Sequence, residues 1–146
     1  MKALCGLFLL ALIISGCAST QPVNMGYLAT EATKLSPESN VHFLEIPSRG
    51  AISDVGSIAV NGGGAANQLR AAMQNLGKSE NAALVITSVN PDLPKAHIRG
   101  ALSQLNEVIP TLLVIYAGDV EHSKEIETMV KSKGMKYGFI DTMNKP

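Results

Sequence analysis

The chain has 146 residues, 12 Lys+Arg against 12 Asp+Glu, and is 46% hydrophobic with only 4% aromatic residues. That size suits one domain with a real core rather than two, and the apolar content excludes disorder along the whole chain. A formal charge of zero lacks the basic footprint that phosphate neutralisation requires, so a nucleic-acid partner is not expected.

Residues 1–16 read MKALCGLFLLALIISG: Lys2, then an apolar run from Leu7 to Ile14, closed by Ser15 and Gly16. This is the layout of a cleaved signal peptide. The apolar run is about half the roughly 20 residues that a membrane-spanning helix needs. The tetrad Ile14-Ser15-Gly16-Cys17 resembles the lipobox of bacterial lipoproteins, a resemblance confined to the first twenty residues. It implies cleavage after Gly16, a thioether-linked diacylglycerol on Cys17 and acylation of the new amino group. Cys17 is then a lipid attachment point, and two or three acyl chains hold a protein on a membrane essentially permanently. Ala18 and Ser19, rather than Asp, follow the cysteine and resemble the outer-membrane sorting class, with the domain facing the periplasm.

Loss of the first 16 of 146 residues leaves 130, with 11 Lys+Arg against 12 Asp+Glu. Cys5 leaves with the signal, so no intramolecular disulfide, cysteine zinc site or CxxC redox pair is expected. Residues 17–40 are polar and turn-rich and are expected to tether the lipid to the domain, with one helical turn or two around Leu28 to Leu35.

The domain is expected over residues 41–146. Val41 to Ile46 reads as a strand ended by Pro47, and Ser57 to Val60 as a short second one. Leu69, Met73 and Leu76 recur at helical spacing from Ala65 to Leu76, with Gly77 at the end. Ala83 to Val89 and Thr111 to Ala117 are continuous apolar runs, which imply strands buried on both faces of a parallel sheet. Between them, Ile98, Leu102 and Leu105 mark a crossover helix entered after Pro94 and stopped before Pro110. A third helix from Glu121 to Lys133 ends at Gly134, and Tyr137 to Ile140 is a last strand. The alternation predicts a small α/β three-layer sandwich with a mostly parallel sheet of four to five strands, doubly wound in the Rossmann-like or flavodoxin-like manner. That architecture implies no function by itself.

Ligands of open parallel sheets bind at the carboxyl ends of the strands, near the switch in strand order. Asn61-Gly62-Gly63-Gly64 reads as a strand, glycine turn and helix start that either cradles an anion or is a tight structural turn, the plainer reading. It lacks the third glycine of GxGxxG, where Asn67 stands, and the chain has no Walker motif, so no cofactor is expected. Asp119, Glu121 and His122 offer an acid/base or metal-binding group, although Asp119 also suits the cap of the third helix. Ser88, Asn90 and Asp92 stand at and after the end of the Ala83 to Val89 strand, Gly118 follows the Thr111 to Ala117 strand, and Asp141 and Thr142 follow the last one; all join the candidate rim. His42 and His97 are expected at the surface or its boundary. GxSxG and HExxH are absent, so no catalytic residue and no metal site is assigned. Lys124, Glu125, Glu127, Lys131 and Lys133 read as a solvated helix face, with a partner-binding face as the alternative.

The expectation is an outer-membrane-anchored lipoprotein whose domain binds a protein of the cell envelope, as an accessory or assembly factor of a secretion, pilus or cell-wall complex. A periplasm-facing enzyme or small-ligand binder using the Gly62 to Gly64 turn with Asp119, His122 and Asp141 is the alternative.

Overall fold

A computed structural model describes residues 22–144. Residues 1–16, expected as a signal peptide, and Cys17 lie outside the described residues. The elements are α1 (Met25–Leu35), β1 (Asn40–Glu45), α2 (Ala51–Ala59), α3 (Gly63–Leu76), β2 (Ala82–Thr87), α4 (Asp92–Ser103), β3 (Leu113–Gly118), α5 (Val120–Lys131) and β4 (Lys136–Asp141). The four strands among the described residues form one sheet in the order β1-β2-β3-β4, every pair parallel.

The central strands owe their position to their apolar runs. Leu84 and Ile86 of β2 and Val114 and Tyr116 of β3 point to one side, where Leu69 and Met73 of α3, Ile98 and Leu102 of α4 and Ile126 and Val130 of α5 close the main core. The alternate residues Ala83, Val85, Ile115 and Ala117 point to the other side and pack with Leu28 and Ala32 of α1. Period-two alternation thus feeds two cores, as a sheet covered on both faces requires. The result is the expected three-layer α/β sandwich with a parallel sheet.

The winding is simpler than expected. The strand order never reverses, so the sheet is not doubly wound and has no switch point. The helices α3, α4 and α5 of successive crossovers share one face, as crossovers of one hand do when each strand is added on the same side. The second face is covered by α1, which precedes β1 and needs no crossover at all.

That helix also redraws the amino-terminal boundary. Residues 25–35 were expected within a tether, yet α1 is eleven residues long, capped by Asn24 Oδ1 accepting from the Tyr27 N–H at 3.0 Å. Leu28 and Ala32, four residues apart, are buried against the sheet. Tyr27 Oη donates to the carbonyl of Asp141 at 3.2 Å, tying the start of α1 to the end of β4. The folded unit therefore includes α1, ahead of residue 41.

The second expected strand is also corrected. Ser57 to Val60 forms the end of α2 and its cap, because Asp54 and Ile58, four residues apart, turn inward together while Ile52 and Val55 face outward. Helical spacing over nine residues outweighs a four-residue apolar alternation, and both edges of β2 are already occupied by β1 and β3.

Candidate functional site

The carboxyl ends of β1, β2 and β3 and the starts of α1 and α2 enclose an open cleft of about 1000 Å³. Val23, Asn24 and Tyr27 form one wall, Ser48, Ala51 and Asp54 another, Thr87, Ser88 and Asn90 the floor, and Thr142 and Met143 the far rim. The floor follows from the sequence. After Thr87 the chain leaves β2 through Ser88, whose Oγ donates to the Ile46 carbonyl at 2.7 Å and accepts from the Asn90 N–H at 3.2 Å. Asn90 Oδ1 in turn accepts from the Asp92 N–H at 3.1 Å and starts α4.

The centre of this wall is Asp54, only 4% exposed. Its Oδ2 accepts from Ser48 Oγ at 2.6 Å and from Asn90 Nδ2 at 2.8 Å, and its Oδ1 accepts from the Arg49 N–H at 2.9 Å. Burial alone would raise its pKa. The bonds from Ser48, Asn90 and the Arg49 backbone outweigh burial and hold the carboxyl below the usual carboxylate range. Asp54 is thus a fixed anion that joins the β1–α2 loop to the β2–α4 loop. Asp54 and Tyr27 are the ionisable side chains of the lining among the described residues, which includes no Lys, Arg, His, Glu or Cys. Tyr27 is engaged with Asp141, so the cleft offers hydrogen-bond donors and acceptors and apolar surface rather than a free acid or base.

Of the residues singled out from the sequence, Ser88, Asn90, Gly118 and Thr142 line this cleft, and the others sit elsewhere. Asn61 and Gly62 lie between α2 and α3 and pack on α4, and Gly63 and Gly64 open α3. A side chain at Gly62, where φ is 80°, would lie 2.8 Å from the His97 ring, and one at Gly100 would lie 1.9 Å from the Asn61 carbonyl oxygen. Glycine here lets a turn and a helix touch backbone to backbone. His97, expected near the surface, is 3% exposed, with Nδ1 donating to the Leu93 carbonyl at 2.8 Å. His42 is exposed on β1.

Asp119 caps α5, its Oδ1 accepting from the Glu121 N–H at 2.9 Å. His122 Nε2 lies 2.8 Å from Asp92 Oδ1, joining α5 to α4. Asp141 accepts from the Met143 and Asn144 N–H groups and from Asn144 Nδ2, bonds that lower its pKa and fix the turn after β4. The cleft is lined by their chain neighbours, Gly118 and Thr142, rather than by these residues. On α5, Lys131 pairs with Glu127 as its spacing predicts, while Glu125 pairs across to Arg99 and Lys95 of α4. No group of three or more His, Cys, Asp or Glu side chains that could hold a metal ion occurs among the described residues.

Sequence reasoning missed Asp54 and Ser48. The available signal was an acid inside an otherwise uncharged apolar stretch, Ala51 to Val60, which demands buried partners. Comparisons with protein-family models, with curated proteins and with solved structures find no match for this chain.

Proposed function

We propose that this chain is a lipid-anchored binding module of the bacterial cell envelope, held on the outer membrane through Cys17 and facing the periplasm. Its folded unit binds a protein of the envelope, as an accessory or assembly factor of a secretion, pilus or cell-wall complex. The observation that carries the binding half of this reading is the composition of the cleft: an open, hydrogen-bonding concavity in which, among the described residues, the one carboxylate of the lining, Asp54, is spent on holding two loops together. Such a surface recognises a partner without transforming it. The anchoring half rests on the lipobox-like Ile14 to Cys17.

The test replaces Cys17 with Ser for the anchor and Thr142 with Trp for the cleft. The first change is expected to abolish lipid labelling and move the protein from the membrane to the soluble fraction. The second is expected to leave the anchor intact and to lose whatever protein crosslinks to the wild type in intact envelopes. An identical crosslinking pattern in the Thr142→Trp protein overturns the assignment of the cleft as the binding surface.

A second reading is favoured by the size of the cleft, which reaches the upper end of small-molecule sites. A small envelope ligand bound there, rather than at the glycine turn, would be displaced by the same Trp substitution in equilibrium dialysis of cell extracts, with no loss of protein crosslinks.

A further inference from the structure

Helix α2 carries one ionisable residue, Asp54, and that residue faces inward. Its outer face is apolar. Ile52 is 93% exposed and Val55, three residues on and on the same side, is 66% exposed; Ala59 continues the stripe and Val60 at the cap is also exposed. A nine-residue helix with a solvent-facing isoleucine and valine and no outward charge is, among the described residues, an unpartnered surface.

The covalent chain says what lies next to it. Pro22, Val23 and Asn24, where the described chain begins, line the same cleft as Gly50 and Ala51 at the start of α2. Five residue steps separate Cys17 from Pro22. At 3.3–3.6 Å per residue that lead spans at most about 18 Å whatever path it takes. A domain of this size is roughly 35 Å across, and its six-residue strands carry the opposite edge about 20 Å further away. A lipid on Cys17 therefore holds the α2 corner against the bilayer and the amino edge of the sheet away from it.

Arg49, directly before α2, is exposed, and apart from the buried Asp54 the acidic residues of this edge lie off α2: Glu45 ends β1, Asp92, Asp119 and Glu121 belong to the starts of α4 and α5, and Asp141 ends β4. The uncharged stripe with one flanking cation meets the headgroups of a bilayer without burying a carboxylate.

From these observations we infer that the exposed face of α2 is a membrane-contact surface: Ile52 and Val55 enter the interfacial region of the bilayer that carries the Cys17 lipid. The occupant of this face is lipid, and the cleft opens beside the membrane, where it meets partners embedded in or lying on that membrane. This inference rests on lipidation of Cys17.

The experiment uses the full chain, processed in cells and extracted from membranes, with a single added cysteine labelled by an environment-sensitive fluorophore at position 52, 55 or, as the distal control, 78. Intact mass is measured first. The protein is then reconstituted into phosphatidylethanolamine–phosphatidylglycerol vesicles containing nitroxide-labelled lipid. The expected result is blue-shifted, strongly quenched emission for Ile52→Cys and Val55→Cys and unshifted, unquenched emission for Lys78→Cys. Lipid on Cys17 with labels at 52 and 55 as solvent-exposed and unquenched as that at 78 overturns the contact surface and leaves the anchor standing. Quenching at 52 and 55 that disappears when a soluble envelope protein is added at equal concentration assigns the face to that protein instead and overturns the inference. An unmodified Cys17 removes both the anchor and the inference built on it.

Discussion

Replacing Asp54 with Ala removes the acceptor for three donors at once: Ser48 Oγ at 2.6 Å, Asn90 Nδ2 at 2.8 Å and the Arg49 N–H at 2.9 Å. Hydrogen bonds to a charged group contribute about 1.5–3 kcal/mol each, which would give at least about 4.5 kcal/mol if they were additive and the donors found nothing else. Two effects reduce that figure. Asp54 stands at a cleft wall where water reaches freed donors, and the wild-type carboxylate carries a desolvation cost that Ala lacks. The expected net loss is about 3 kcal/mol. Asp54→Asn keeps the shape and can re-pair with Ser48 and a rotated Asn90, at the expense of the Asp92 N–H bond, and is expected to cost about 1–2 kcal/mol.

The pH dependence follows from the direction of the shift. The folded carboxyl titrates below its unfolded value, so its stabilisation is fully present above the ordinary carboxylate range and is lost as pH falls through the folded value. Urea unfolding followed by circular dichroism at neutral pH and at acid pH reads both quantities. The gap between wild type and Asp54→Asn should narrow on acidification. An Asp54→Ala protein within about 0.5 kcal/mol of wild type, the range of an ordinary surface change, would show that the two loops are held by something else.

Leu28→Ala is expected to cost about 2–5 kcal/mol in the same assay, because Leu28 seals the second core from α1; a neutral result would return α1 to the tether. Gly100→Ala drives a methyl group into the Asn61 carbonyl and should cost at least about 2 kcal/mol, whereas Gly64→Ala meets nothing within 4 Å and should be neutral or slightly stabilising. Equal effects of the two glycine changes would contradict the structural account of this turn. Glu125→Ala breaks pairs with Arg99 and Lys95 that are half exposed, so its cost should stay below about 1 kcal/mol and shrink further in salt, measured by the same unfolding curves.

The strands were legible because β2 and β3 are apolar on both faces, a pattern that few other environments produce. The alternation with helices carried the layer architecture with it. The winding was not legible, since apolar runs do not record which edge the next strand joins. Nor was α1. Its sequence, MGYLATEATKL, buries only Leu28 and Ala32, too narrow a stripe to stand out from a polar tether. The candidate rim was legible in part: Ser88, Asn90, Gly118 and Thr142 line the cleft because each stands at or just after the carboxyl end of a strand, whereas the glycine turn lies apart from it. Gly62 is required by the His97 ring and Gly100 by the Asn61 carbonyl, contacts between residues more than thirty positions apart in the chain, and a glycine-rich turn reads the same whether protein or ligand fills its space. Asp119 was legible as a cap because capping is local. The bonds of Asp54 with Ser48 and Asn90 span two loops, and of these only the six-residue link to Ser48 lies within reach of a local pattern.

The central claim is that a lipid on Cys17 anchors this domain to a membrane. Intact mass of the mature protein purified from bacterial membranes tests it most directly. The account predicts a chain beginning at Cys17 with the added mass of a diacylglycerol and an amide-linked acyl group. A soluble protein with an unmodified Cys17 would contradict it.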